Sequence, residues 1–326
     1  MRLILNPFQE PAFNLALEEY LLTQTNLELI MLWRNSRSVI IGNNQNTVEE
    51  IDADYVRERE IAVVRRLSGG GAVFHDLGNI NYTIIHKNNN NNFGGYAAFT
   101  APVCAYLKTL GVNAEFSGRN DLVIDGKKFS GSAQAVKNGR IMHHGCILFD
   151  ADFGDLALSL RPKTEKIESK GIKSVRSRVT NVALHLASPM PPEDFYSGLA
   201  RYFQNNAEKL EEYELSPKDI AAAKALAEEK YSSWEWNFGR SPVYNWQNSK
   251  HFEFGTVDVR LSVKHGIIDD ITFFGDFFGV INKAELESLL RGQRHERQAI
   301  QAALESTDIG QYIYGMTNDQ LTELLY

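Results

Sequence analysis

Cysteine is almost missing from this chain. Its 326 residues hold two, Cys104 and Cys146, too few for a disulfide framework and without the paired spacing of a zinc site. Long apolar runs are missing too: none approaches the 18 or so residues that a membrane-spanning helix needs. The opening residues, MRLILNPFQEP, meet Pro7 and Glu10 before a signal-peptide core could develop. Positive charge is in deficit. There are 34 Lys and Arg against 41 Asp and Glu, a net charge of -7, which makes a general phosphate-backbone binder a poor fit. These absences lead to the expectation of a soluble, cytoplasmic protein with neither nucleic acid nor membrane as a partner. What is present suits a folded protein. The 43% of hydrophobic residues can form a sizeable core, and the length suggests a large domain with a smaller one.

The pattern along the chain alternates element types. Helical spacing is read at Pro11 to Leu22, Thr100 to Leu110, Pro192 to Lys209 and Pro217 to Lys230. Strands are read at Glu28 to Trp33, Ser38 to Ile41, Ile61 to Arg66, Asn81 to His86 and Ile141 to Phe149. Asp125-Gly126, between Leu122 to Ile124 and Lys128 to Ser130, is a hairpin signal. Asn88 to Asn92 reads as a mobile loop, since five asparagines bury too little surface to order themselves. The order predicts an α/β fold with helices on a mixed sheet. The charge then changes. Residues 251–326 carry 12 acids and 6 bases, whereas the first 250 are close to neutral. With the aromatic-to-Gly/Pro change at 234–242, this puts a domain boundary at 240–250, taken as 1–245 and 246–326. A hairpin around His265-Gly266, followed by three helices, makes the rear part a small α+β module.

Three segments carry chemistry. In Arg65 to Asp76, three glycines (Gly69, Gly70, Gly71) follow a β-branched strand, so the backbone can approach a ligand closely and turn N–H groups towards an anion. Arg66 adds a planar donor fork, and His75-Asp76 follow. The loop has no Gly-Lys-Ser/Thr and does not open a helix as GxGxxG does. In Ser117 to Ala133, strand alternation is expected to place Lys128 and Ser130 on one face and Phe129 on the other. In His143-His144-Gly145-Cys146, adjacent histidines point to opposite faces, so both cannot ligate one metal.

Together these segments closely resemble the lipoate–protein ligase family. The matching pieces are RRLSGGGAVFHDLGN (65–79), SGRNDLVIDGKKFSGSA (117–133), HHG (143–145), KGIKSVRSRVTN (170–181) and SSWEWNFG (232–239). The resemblance implies a catalytic domain similar in fold to biotin–protein ligases and class II aminoacyl-tRNA synthetase cores, followed by a small C-terminal accessory domain. It implies that lipoate is joined to AMP with ATP and Mg2+, then transferred to a lysine of acidic acceptors, the lipoyl domains of 2-oxoacid dehydrogenases and the glycine cleavage H protein. Residue by residue, Lys128 matches the family's essential lysine, between α-phosphate and lipoyl carboxyl. Arg66 would hold ATP phosphates, and Gly71, Ala72, Val73 and Phe74 would line the nucleotide. Trp33, Gly70, His75, Ser130 and His144 would line the lipoyl group. Asp121 is the magnesium candidate. The net +5 of residues 161–178 would steer the acidic acceptor.

Two other readings are available. A relative of the same fold could transfer an acyl group through Cys146 without ATP, although Cys146-Ile147-Leu148-Phe149 reads as a buried run in which a thiol is inert. A lipoate- or nucleotide-binding module without catalysis is the other, and the joint presence of Arg66, the glycine loop and Lys128 speaks against it.

Overall fold

The computed structural model describes residues 1–88, 93–160, 177–207, 209–238 and 245–325. Most of the Asn88–Asn92 run, most of the basic 161–178 stretch and part of the expected boundary lie outside these residues. By its contacts the chain divides into two units. The first comprises Met1–Ile41, Thr47–Leu67 and Ala72–Asn237, and the second Gly42–Asn46, Ser68–Gly71 and Phe238–Tyr326.

The strands of the first unit are β1 (Arg2–Leu5), β2 (Leu29–Trp33), β3 (Ser38–Ile41), β4 (Ala62–Arg65), β5 (Val73–His75), β6 (Asn79–Lys87), β7 (Glu115–Ser117), β8 (Asp121–Ile124), β9 (Lys127–Lys137), β10 (Arg140–Leu148) and β11 (Glu211–Glu212). Eight of them form a mixed sheet in the order β11-β1-β2-β6-β10-β9-β8-β7, and β4-β3-β5 form a small second sheet. β1 runs parallel to β11 and β2, and the remaining neighbours in the large sheet are antiparallel. The mixed α/β class expected from the sequence is therefore observed.

Period-two alternation sends each strand's side chains to two different cores. Ile30, Leu32, Ile80, Tyr82, Ile84, Phe129 and Ile147 face the helices Tyr96–Thr109 and Pro192–Asn206. Leu29, Met31, Trp33, Ile85 and Met142 face the helix Pro11–Thr23. That helix starts where the Glu10 carboxylate accepts from the N–H groups of Ala12 and Phe13, with Pro11 in the first turn. It is buried almost all round, because residues of the helix Pro217–Leu226 pack on its far side. Its last carbonyls would be orphans. Buried Arg140 of β10 meets two of them, Leu21 O (2.7 Å) and Leu22 O (2.9 Å), and donates as well to Thr25 O (2.6 Å) and Leu27 O beyond the helix end.

The second unit contains β12 (Trp246–Phe252), β13 (Gly255–Lys264) and β14 (Ile267–Gly275), an antiparallel sheet in that order. The hairpin at His265-Gly266 has both residues at positive φ, 52° and 76°, which matches the twist of the flanking strands. Val257, Val259, Leu261, Ile271 and Phe273 pack against Leu286, Leu290, Ile300 and Leu321 of the helices Lys283–Leu290, Arg297–Leu304 and Asn318–Leu325. β12 was not anticipated. Its sequence, WQNSKHF, is mostly polar and mostly solvent-facing, as an edge strand can be.

Candidate active site

The β8–β9 hairpin turns at Asp125 (φ 51°) and Gly126 (φ 73°), as the Asp-Gly signal predicts. The register then departs from expectation. Ser130 pairs with Leu122, but Lys128 pairs with Val123, so Phe129 is an extra residue in β9. This bulge corrects the expected facing of Lys128 and Ser130. Ser130 also pairs with Ile147 and lies by the Tyr82 hydroxyl, within the core beneath the helix Tyr96–Thr109. Lys128 faces the opposite way. Its Nζ is 2.8 Å from Asp121 Oδ1, and its end lies over Gly131, which is paired with Asp121 and Cys146. The Lys128 side chain is 41% exposed. Its backbone is held from outside the hairpin, with Val179 bridging to it and Thr180 N donating to Lys128 O (2.9 Å).

On that same face, beneath the helix Pro11–Thr23, lies a buried polar chain. Trp33 Nε1 donates to Thr83 Oγ1 (2.8 Å), and Thr83 Oγ1 donates to Glu18 Oε1 (2.5 Å). The Glu18 oxygens are 2.9 and 3.0 Å from His144 Nδ1, which therefore carries a hydrogen. Glu18 is 1% exposed. Of the adjacent histidines only His144 belongs here. His143 faces the other core, stacked on Phe99 (4.8 Å between centroids), and burial pushes it down to about 3.

Arg66, directly after β4, is buried and donates to Ile40 O (3.2 Å). Burial pushes its pKa down to about 10, so it stays cationic at neutral pH. The preceding arginine has a structural task. Arg65 donates from Nε to Trp236 O (2.9 Å) and from Nη2 to Thr47 Oγ1 (2.7 Å), while Trp236 Nε1 donates to Arg65 O (2.8 Å). Trp236 and Asn237 of the SSWEWNFG segment thus brace the strand that leads into Arg66. Phe74 of β5 is buried, and Val73 and the preceding Ala72 are half-buried. His75 is buried, 6.2 Å from the Trp33 ring centroid, and is pushed down to about 3 by burial and then by the positive Arg66 and by His144.

Gly70 and Gly71 fall in the second unit. Gly70 has φ 91°, and a side chain on Gly42 would collide with Gly70 O at 1.8 Å. A side chain on Gly69 would meet Phe277 O at 2.3 Å, whereas Gly71 faces open space. Close backbone approach is what requires glycine here.

Several buried polar atoms on the Trp33 face have no partner among the described residues: His75 Nε2 and both side-chain polar atoms of Asn81, which is paired in register with Trp33 and Cys146. Each such atom costs about 1–3 kcal/mol unless a ligand or water meets it. That cost fits a substrate pocket. Glu18, Asn81 and Thr83 were not singled out from the sequence. The signal available was a carboxylate inside a mainly apolar helical run, four residues after Asn14 and so on the same side.

The thiol does not suit a nucleophile. Burial pushes the Cys146 pKa up, and its Sγ lies 4.0 Å from Gly131 O. No group of three metal-ligating side chains exists among the described residues. Asp121 offers one accessible carboxylate, which fits a magnesium ion held mainly by substrate phosphates and water.

The lipoyl protein ligase A/B catalytic domain matches residues 10–204, and the bacterial lipoate protein ligase C-terminus matches residues 241–325. The chain belongs to the lipoate–protein ligase family. It is 45% identical over 321 residues to lipoate-protein ligase LplJ of Bacillus subtilis, with 97% of each chain covered. The P. falciparum LipL1 structure in complex with lipoate superposes with TM-score 0.78 at 24% identity, covering 99% of this chain and 98% of that one, a likeness of fold. A lipoate-protein ligase A structure bound with ATP matches at TM-score 0.62 and 27% identity, covering 73% and 98%. No helix among the described residues is long and apolar enough to cross a membrane.

Proposed function

We propose that this chain activates lipoate with ATP to lipoyl-AMP and pyrophosphate in the cytoplasm. It then transfers the lipoyl group to a lysine of an acceptor, the lipoyl domain of a 2-oxoacid dehydrogenase or the glycine cleavage H protein. The observation that carries this reading is the Lys128–Asp121 pair, turned by the β9 bulge onto the face that holds His144 and Glu18. A lipoyl carboxylate oxygen attacks the α-phosphorus, the bond to the pyrophosphate oxygen breaks, and pyrophosphate leaves with the electron pair. Two anions meet in this step, so donors must offset their charge. The Lys128 ammonium would lie between the carboxylate and the α-phosphate, and Arg66 would take phosphate oxygens. Gly71, Ala72, Val73 and Phe74 line the nucleotide. Magnesium, when bound, neutralises phosphate charge, and Asp121 would be its protein ligand. Trp33, Gly70, His75 and His144 line the acyl chain. Ser130, turned to the opposite core, is not assigned to it.

In the second half-reaction the acceptor amine attacks the acyl carbonyl and AMP departs. Residues 1–245 are assigned as catalytic and 246–326 as accessory. The acceptor is an acidic domain, drawn by the basic residues of 161–178. Mass spectrometry of a quenched reaction with ATP and lipoate, lacking acceptor, tests the reading. Lipoyl-AMP is the expected product. An acyl group on Cys146 formed without ATP would replace the ligase with a transferase.

A further inference from the structure

A line of buried asparagines ends on His75. Asn14, in the helix Pro11–Thr23, places its Nδ2 3.0 Å from Phe8 O and 3.0 Å from Arg34 O. Backbone carbonyls only accept, so this atom is the amide nitrogen and the orientation of Asn14 is fixed. Its oxygen accepts from Asn6 Nδ2 (2.8 Å), whose own oxygen accepts from Phe8 N (3.1 Å). The Asn14 nitrogen also lies 2.8 Å from Asn35, and facing a donor, that atom of Asn35 must be Oδ1. Asn35 therefore turns its Nδ2 to His75 Nδ1, at 3.2 Å, and donates to it. A ring nitrogen that accepts carries no hydrogen. The neutral His75 ring must hold its proton on Nε2, and that N–H is buried without a partner among the described residues.

We propose that Asn35, oriented by Asn14, is a positioning residue that fixes His75 as its Nε2–H tautomer, making the ring a buried donor that selects an acyl chain bearing sulfur acceptors over a plain alkyl chain. This rests on the ligase reading above and names the selectivity of the same pocket. A dithiolane ring carries two polarizable sulfurs that accept weakly. The tail of octanoate offers no acceptor, and seating it leaves the His75 N–H and the unpaired Asn81 amide buried and unsatisfied. The environment keeps the ring in the required form. Burial, Arg66 and His144 hold the His75 pKa near 3, so the ring stays neutral at physiological pH and one tautomer persists. The second tautomer would set Nδ1–H against the Asn35 N–H, two donors facing each other. Correcting that would require inverting both amides against the Phe8 and Arg34 carbonyls.

The test has two parts. Long-range 1H–15N correlation on histidine-labelled parent protein at pH 7 reads the tautomer directly, without substrate or turnover. An Nε2–H pattern for His75 is expected, while an Nδ1–H or doubly protonated ring overturns the proposal. Kinetics then compare lipoate with octanoate. Asn35→Leu should lower kcat/KM for lipoate about tenfold, mainly through KM, and that for octanoate less than about twofold. Equal losses for both acids would make Asn35 merely structural and overturn the selectivity. If Asn35→Leu does not fold, the isosteric Asn35→Asp, whose carboxylate accepts from an Nδ1–H and so reverses the tautomer, should show the same selective loss. If the parent activated neither acid, the ligase reading would fail, and the tautomer would still decide the positioning claim.

Discussion

At the scale of single residues, the proposed chemistry places different demands on Lys128, Gly70 and Cys146. Lys128 sits half-exposed in one ion pair with Asp121, a contact worth about 0–1 kcal/mol to the fold. Lys128→Ala should therefore melt close to the parent while adenylate formation falls on the order of 10²–10³, the usual cost of losing one charge-stabilising donor. Thermal melts alongside quenched-flow product analysis check both halves. Gly70 acts through its backbone. With φ at 91°, a β-branched residue is strained and also fills the space needed for close approach. Gly70→Val should weaken lipoate binding directly and ATP binding through the adjoining Gly71 by calorimetry, and unchanged affinity for both would reduce the loop to a plain turn. Cys146→Ser should retain most activity, because the burial that raises its pKa leaves the thiol protonated and unreactive.

At the scale of elements, the helix Pro11–Thr23 shows what long-range pairing adds. Its start was readable from Pro11 and the apolar spacing, but the partner of its last carbonyls was not, since Arg140 arrives from β10. Arg140→Met should remove the donor contacts to four carbonyls and cost roughly 3 kcal/mol by urea titration. A loss below about 0.5 kcal/mol would mean that water or other groups replace it. The β8–β9 hairpin makes a similar point. Asp125-Gly126 announced the turn, yet strict alternation misplaced Ser130, because a bulge depends on the partner strand and has no local signature at Phe129. The glycine loop, Arg66 and His75 stood out as sequence because each residue type has a local chemical meaning. Glu18, Asn14 and Asn35 did not. Their meaning comes from being buried together, and single polar residues in apolar runs give little hint of it.

At the scale of the whole molecule, charge and burial set the conditions under which the protein works. His75 and His143 are both pushed down to about 3 by burial. In the unfolded chain each would take up a proton below about pH 6.5. Their contribution to stability is thus present above that pH and is lost as pH falls from 6.5 towards 3. The slope is on the order of 1.4 kcal/mol per pH unit for each ring. His143→Phe should flatten the fall in melting temperature between pH 7 and 5, and an unchanged slope would show that other groups dominate. The net charge of -7 conceals the basic run at 161–178. Reversing Lys163, Lys166 and Lys173 to Glu should leave adenylate formation intact and slow transfer to the acceptor, with the gap narrowing at high salt. A defect confined to adenylation would instead give these lysines a part in the first half-reaction.

The central claim is that the chain makes an acyl-adenylate with Lys128 beside the reacting phosphate. Exchange of labelled pyrophosphate into ATP, followed with and without lipoate and with no acceptor present, tests it most directly. Exchange that requires lipoate is expected in the parent, with a fall on the order of 10²–10³ in Lys128→Ala. Exchange that proceeds without lipoate, or that survives the loss of Lys128 undiminished, would contradict it.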